Sequence, residues 1–181
     1  MKKIKHPIQL LLILGLGLFS QIAFAQNNPC LTRHIDDLDK LLSPESIKVL
    51  AQGAELDHYL QGAGTKYAES QFFWYPTEET THFVKLYSLR KEKDENPIER
   101  FQKRVQDKSD EIYTYDYAGG IGDYAFWTRG IIDADSEPST VASLKVLLNK
   151  EAFVVHVDLG DYTQSQEIAV NLAKQIIETC N

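Results

Sequence analysis

The sequence predicts an α+β domain, an αβα sandwich in which an antiparallel sheet of about five strands carries three or so helices. Two observations lead to this prediction. Strand-like segments fall into two groups, near residues 67–89 and 111–159. Helical patterns precede, separate and follow these groups, which is typical of helices packed on the faces of one sheet.

Each helix has a recognisable start. Apolar residues at helical spacing lead into Ser43-Pro44, a cap followed by proline in the first turn. The segment Asn96-Pro97-Ile98-Glu99 is a capping box, and Ile98, Phe101 and Val105 mark an apolar face after it. A second capping box over Thr163–Gln166 precedes Ile168, Leu172 and Ile176, which predicts the longest helix.

The strands are read from alternation and β-branched residues. Residues 67–75 and 80–89 flank a polar turn after Pro76, which indicates a hairpin. Tyr113, Tyr115 and Tyr117 alternate with polar or smaller residues over 111–117. Residues 140–148 and 152–159 are rich in valine and leucine and predict a tight hairpin, with His156 and Asp158 on one face of its second strand.

The N-terminus has the three parts of a secretory signal peptide over residues 1–25. Lysines come first, an apolar stretch over residues 10–19 follows, and Ala23-Phe24-Ala25 offers a cleavage site. The apolar stretch is short for a membrane span, so no span is expected after cleavage. The remaining residues 26–181 suit a single α+β domain. The expected location is periplasmic or secreted.

The mature chain is strongly acidic. Cleavage removes three lysines and no acidic residue, which leaves 16 basic and 26 acidic residues and a net charge of −10. Such a charge gives no electrostatic reason to bind nucleic acid. Half of the basic residues lie in 85–108, which favours a solvated helix face with ion pairs over a binding patch.

Two cysteines, Cys30 and Cys180, lie close to the two ends of the mature chain. In an oxidising compartment two such thiols usually pair, so we expect a disulfide that ties the termini together. A reactive cysteine would need a neighbouring base or a second close cysteine. The sequence shows neither.

Several stretches resemble small exported bacterial proteins with the PsbP-like αβα sandwich, many of which are lipoproteins of unknown function. These stretches are Cys30-Leu31-Thr32, Leu41-Leu42-Ser43-Pro44-Glu45, Gly120 to Trp127, and the strand–strand–helix from Ser143 to Ile177. The resemblance implies the fold and an envelope location. It implies no catalytic residues, and the chain lacks the lipid-attachment cysteine of many members.

No motif predicts catalysis, a metal or a cofactor. The acidic loop Asp133–Glu137 lacks the glycine and the closing glutamate of a calcium loop. His156 and Asp158 share a strand face but lack a third ligand of similar projection. Ser88 and Lys91 match Ser-x-x-Lys without its companion motifs. We therefore predict that the chain is not an enzyme.

An aromatic cluster beside Gly119–Gly122 is the predicted binding site. Tyrosine and tryptophan concentrate at recognition surfaces because they bury much area and keep a polar tip. Core filling under the sheet is the favoured reading for some of these residues, yet the cluster is still the best candidate site that the sequence offers. The candidate residues are Tyr113, Tyr115, Tyr117, Tyr124 and Trp127.

The sequence thus favours a non-catalytic binding module of the cell envelope, with a protein or small molecule as its partner. The alternative is an inhibitor or immunity protein against an envelope-acting enzyme or toxin, because an acidic protein suits a basic target. A hydrolase with scattered catalytic groups is the least favoured reading.

The exported protein should begin at Gln26 and contain no free thiol. Mass analysis of the N-terminus and thiol titration without denaturant check both points. A mature start at Met1, or two reactive cysteines, would contradict the location and the disulfide together.

Overall fold

An antiparallel β-sheet forms the centre of the computed structural model. The structure describes residues 30–62, 68–107, 110, 112–130 and 139–180, and for Ser88 and Leu89 it describes the backbone alone. Within these residues the sheet has seven strands in the order β1-β2-β3-β7-β6-β5-β4. They are β1 Asp57–Gln61, β2 Glu69–Thr77, β3 Thr80–Lys91, β4 Tyr113–Tyr117, β5 Tyr124–Gly130, β6 Ala142–Leu148 and β7 Glu151–Asp158.

The predicted antiparallel α+β class is confirmed, but the predicted number of about five strands is too low. The two additional strands are β1 and β5. All five residues of β1 are exposed, so this edge strand has no buried alternation to reveal it. Strand β5 has apolar residues on both faces, because helices cover both sides of the sheet there.

Both predicted hairpins form. Strands β2 and β3 pair antiparallel, although β2 continues through Pro76 with a bulge after Trp74. Strands β6 and β7 are joined by Asn149-Lys150, whose φ angles of 51° and 64° are those of a tight primed turn.

Three α-helices lie within the described residues: α1 Pro44–Leu50, α2 Pro97–Gln106 and α3 Tyr162–Thr179. The predicted caps of the first two are present, since Ser43 Oγ accepts from Ser46 N at 3.3 Å and Asn96 Oδ1 accepts from Glu99 N at 3.3 Å. The predicted start of α3 at Thr163 is wrong. Asp161 caps this helix by accepting from Gln164 N at 2.7 Å, so α3 begins earlier.

The two faces of the sheet are covered unequally. Helices α1 and α3, with the short 3₁₀ turns Thr32–His34 and Leu38–Lys40, bury one face in the main core. Helix α2 covers part of the opposite face and forms a smaller core of Phe101, Tyr115, Phe126, Leu147 and Ala152. The rest of that second face carries no helix within the described residues, and this is where the cleft described below lies.

Two interactions hold the ends of the domain to the sheet. Cys30 and Cys180 form the predicted disulfide, with their Cα atoms 5.5 Å apart. The buried carboxylate of Glu151 accepts from Leu31 N at 2.8 Å, Thr32 N at 2.9 Å and Thr32 Oγ1 at 2.6 Å. The N-terminal segment is therefore fixed to the start of β7 as well as to the end of α3.

None of the helices within the described residues is long and apolar enough to cross a lipid bilayer. The predicted signal peptide and the acidic loop Asp133–Glu137 lie outside those residues.

The glycine-rich segment before β5 makes a close approach to β6. Asp123 N donates to Leu147 O at 2.8 Å, and Ala118 N donates to Ala125 O at 2.9 Å. Gly122 has a φ of +59°, and a Cβ atom there would lie 2.5 Å from Leu147 O and 2.9 Å from Val146 Cγ1. Glycine at this position is therefore required by space as well as by backbone angle.

Replacing Gly122 with alanine should lower the free energy of unfolding by more than about 2 kcal/mol, because the new Cβ meets backbone as well as adopting a left-handed conformation. Gly120→Ala is the matched control: its φ is +74°, but a Cβ there meets nothing within 4 Å. Chemical denaturation should give a loss of about 1 kcal/mol for this control. Equal losses in the two variants would contradict the close approach.

Candidate functional site

Strands β6 and β7 place polar side chains on the sheet face that α1 and α3 leave uncovered. On β6, Leu144 and Val146 are buried in the main core, so Ser143 and Lys145 project to the other side. On β7, Val155 and Val157 are buried in the same core, so His156 between them projects to the opposite face of the sheet. Alternation along two central strands thus gives one face of the sheet a polar centre.

These side chains line a hollow of about 420 Å³, which we call the sheet cleft. Its lining residues come from strands β3 to β7, from the segment just before β6, and from α2. The residues used below are Tyr87, Arg104, Tyr113, Tyr115, Ser143, Lys145 and His156. A hollow of this size suits a small organic molecule or a few side chains of a partner.

Three polar groups meet at the floor of the sheet cleft. The Tyr87 hydroxyl lies 2.7 Å from His156 Nε2, and Ser143 Oγ lies 2.6 Å from the same nitrogen. A neutral imidazole nitrogen either donates one N–H or accepts with one lone pair. Nε2 therefore serves one hydroxyl, and the other hydroxyl can donate to its neighbour, since Tyr87 and Ser143 are also hydrogen-bonded to each other. What this hydroxyl–imidazole trio keeps for a bound molecule is the remaining acceptor lone pairs of the two hydroxyl oxygens.

Burial sets the protonation state of the trio. Burial, together with a smaller effect of the nearby charge of Lys85, lowers the pKa of His156 to about 4. Burial also raises the pKa of Tyr87 to about 12, against a smaller opposing effect of a hydrogen bond with Ser143. At neutral pH the trio is uncharged, so it offers hydrogen bonds without a net charge.

The serine–histidine contact has the distance of a nucleophile and its base, but its electrostatics are unfavourable for that role. A pKa of about 4 makes His156 a weak base at neutral pH. Its Nε2 is also shared with Tyr87, and no described carboxylate forms a hydrogen bond or ion pair with the ring. The trio is better suited to binding than to proton transfer.

A second hollow of about 350 Å³ adjoins the sheet cleft beside α2, and we call it the α2 hollow. The two hollows share Arg104, Phe126 and Lys145 as lining residues. Lys145 Nζ lies 5.2 Å from the ring centre of Phe101 and 6.0 Å from that of Phe126. Burial, together with the nearby charge of Arg90, lowers the pKa of Lys145 to about 8.

Arg104 and Tyr115 join α2 to the floor of the cleft. The Arg104 guanidinium lies 4.7 Å above the Tyr115 ring, and the Tyr115 hydroxyl donates to Asp110 Oδ2 at 2.6 Å. This hydrogen bond is the largest influence lowering the pKa of Asp110, whereas burial raises the pKa of Tyr115. The wall on the α2 side is thus held by aromatic, hydrogen-bonding and ionic contacts.

The predicted aromatic site residues are only partly brought together. Tyr113, which is 44% exposed, and Tyr115, which is 5% exposed, line the sheet cleft. Tyr117 contacts Tyr124, with ring centres 5.0 Å apart, on the same face beyond the cleft. Trp127 projects to the opposite face and packs, half-buried, against the main core.

Sequence reasoning did not identify Tyr87, Arg104, Ser143 or Lys145 as site residues. The sequence signal for these residues is that polar residues alternate with apolar ones in valine- and leucine-rich strands. Of the cleft residues on these strands, only His156 was identified from this alternation. Its predicted companion Asp158 accepts from Gly160 N at 3.0 Å instead. Among the described residues no three histidine, cysteine or acidic side chains converge as a metal site requires.

No protein-family model, curated protein or solved structure matches this chain.

The low pKa of His156 links the cleft to folding. An unfolded histidine titrates near pH 6.5, and the folded one near pH 4, so the unfolded state binds more protons between these values. Stability should therefore fall as the pH drops from about 6.5 to about 4, by at most about 1.4 kcal/mol per pH unit from this residue. In denaturation experiments at several pH values, His156→Gln should remove this residue's contribution to the pH dependence of the unfolding free energy. An unchanged slope would contradict the neutral, buried imidazole.

Proposed function

We propose that this chain is a non-catalytic binding protein of the cell envelope that takes up a small molecule in the sheet cleft. The observation that supports this most is the hydroxyl–imidazole trio, which is uncharged at neutral pH and presents two hydroxyl oxygens, with acceptor lone pairs, in the lining of the sheet cleft. Polar groups placed at the floor of a concave, partly aromatic hollow are typical of ligand sites.

The envelope location rests on the predicted signal peptide at residues 1–25 and on the disulfide, which suits an oxidising compartment. We further propose that the α+β architecture is of the PsbP-like αβα type. Helices on both sheet faces support this reading. A periplasmic or secreted position then gives the cleft access to molecules of that compartment.

An inhibitor or immunity role is the second candidate. The net charge of −10 on the mature chain favours a basic protein target, since complementary charge speeds association. In that case the acidic surface would make the contact and the sheet cleft would stay empty. Inhibition of a basic lytic enzyme by the purified protein, unaffected by changes in the cleft, would support this role.

A hydrolytic role has the least support. The contact of Ser143 with His156 at 2.6 Å is its one favourable feature. The pKa of His156 near 4 and the competing bond from Tyr87 oppose it.

Protein purified without denaturant from the envelope should carry a small molecule, visible as a difference between its native and denatured masses. Tyr87→Phe removes one hydroxyl of the trio and should weaken binding about tenfold, the effect of one lost hydrogen bond. Tyr75→Phe is the matched control, because Tyr75 is 56% exposed on β2 and does not line the cleft. Absence of any bound molecule, or equal occupancy in the two variants, would contradict the proposal.

A further inference from the structure

Basic side chains converge on the α2 hollow of this acidic protein. Arg90 comes from β3, Lys145 from β6, and the others from α2; the basic lining residues are Arg90, Arg100, Lys103, Arg104 and Lys145. Asp107, at the end of α2, also lines the hollow and has a partner of its own. The sequence pattern suggested that basic residues in 85–108 serve mainly in surface ion pairs, so their actual partners decide what the hollow does.

The nearby acids are already used by the arginines. Glu92 is buried and accepts from Arg90 Nε at 3.1 Å and from Arg100. Asp94 also pairs with Arg100, at 2.9 Å. Asp110 accepts the Tyr115 hydroxyl and lies 3.8 Å from Arg104.

Lys145 is left without an acidic partner among the described residues. Its ammonium group faces the rings of Phe101 and Phe126. The charge of Glu92 favours the lysine cation, but burial and the charge of Arg90 outweigh it, and a half-buried cation without a direct ion pair is costly. An anion in the hollow would compensate the charge. Arg104, which lies beside it in the lining of both hollows, is 54% exposed at its side chain and so available for a second contact.

We propose that Lys145 and Arg104 form an anion-binding position at the α2 end of the sheet cleft, so that the ligand of this protein carries a compact oxyanion, a carboxylate or a phosphate. This rests on the proposed binding function. Lys145 supplies the point charge, and Arg104 supplies a planar set of donors suited to two oxygens.

The spacing along β6 further defines the ligand. Ser143 and Lys145 are two residues apart on the same face, so their Cα atoms stand roughly 7 Å apart. Ser143 belongs to the uncharged trio, and Lys145 borders the α2 hollow. The ligand class is therefore a small organic acid or phosphate ester that also carries a hydroxyl or amide donor, which reaches the trio while the negative charge lies at Lys145.

The protonation of Lys145 predicts the pH dependence. The groups that face it are Arg90 on β3, Glu92 just after that strand, and Arg100 and Arg104 on α2. Since burial and the arginine charges hold the pKa of Lys145 near 8, anion affinity should decline as the pH rises above this value. A bound anion favours the charged amine and should raise the pKa of Lys145.

The test uses benzoate, its neutral isostere benzamide, and inorganic phosphate, with binding followed by calorimetry and by NMR of the lysine side chains. Wild type should bind benzoate or phosphate at least about tenfold more tightly than benzamide. Lys145→Met keeps the apolar stem and should lose that preference. Lys174→Met is the matched control, because it removes the same charge from the exposed side of α3. Arg104→Gln, expected to weaken anion binding as well, replaces Lys145→Met if that variant does not fold.

If the protein binds benzoate more tightly than phosphate, its ligand carries a carboxylate. If it binds phosphate more tightly, its ligand is a phosphate ester. Anion binding unchanged in Lys145→Met, equal binding of benzoate and benzamide, or no binding of either anion would overturn the inference. Anion binding at Lys145 in a protein that carries no molecule from the envelope would uphold the anion position and contradict the proposed function. A neutral molecule held by the trio, with no anion binding, would support the proposed function and contradict the anion position.

Discussion

Strand β7 pairs with β3 from Phe83–Asp158 to Lys91–Glu151, which places the last strand of the chain in the middle of the sheet. The cleft depends on this pairing, because it brings Tyr87 and His156 together across 69 residues of sequence. It also joins the β1–β3 half of the sheet to the half formed by β4–β6. Non-local pairing of this kind costs loop-closure entropy, which the burial of Val155 and Val157 in the main core offsets.

Within the described residues, the cleft is left uncovered because the helices are unequal in length and their positions are fixed. Helix α3 has 18 residues and packs along the main core, whereas α2 has 10 and covers only the part of the other face around the smaller core. Glu151 and the disulfide hold the N-terminal segment and the end of α3 to the edges of the same main core. Neither end of the described chain is therefore positioned to cover Ser143, Lys145 and His156.

Sequence patterns predicted the features that depend on local chemistry. The caps at Ser43 and Asn96, the β6–β7 turn and the disulfide all follow from short motifs or from residue type. Strand β1 was not predicted, because an exposed edge strand needs no apolar alternation. The trio was not predicted for a different reason. A tyrosine on β3 and a serine on β6 come together only because both strands pair with β7, and no local sequence pattern specifies the order of strands in a sheet. The aromatic cluster was predicted as a binding site or as core, and strand alternation divides it: Trp127 packs against the main core, whereas Tyr113 and Tyr115 line the cleft on the opposite face.

In the part of the chain that the structure describes, the sheet face opposite the main core combines an uncharged trio with a lysine that has no ion-pair partner there, and both favour recognition of a small polar acid. Covalent footprinting of the protein, with and without molecules extracted from its native envelope, tests directly whether this face is the binding surface. Protection should concentrate at Tyr87, Tyr113 and Lys145, while the exposed Tyr59 on β1 stays equally reactive. Protection at β1 or over the acidic surface, with these three residues unchanged, would contradict the assignment.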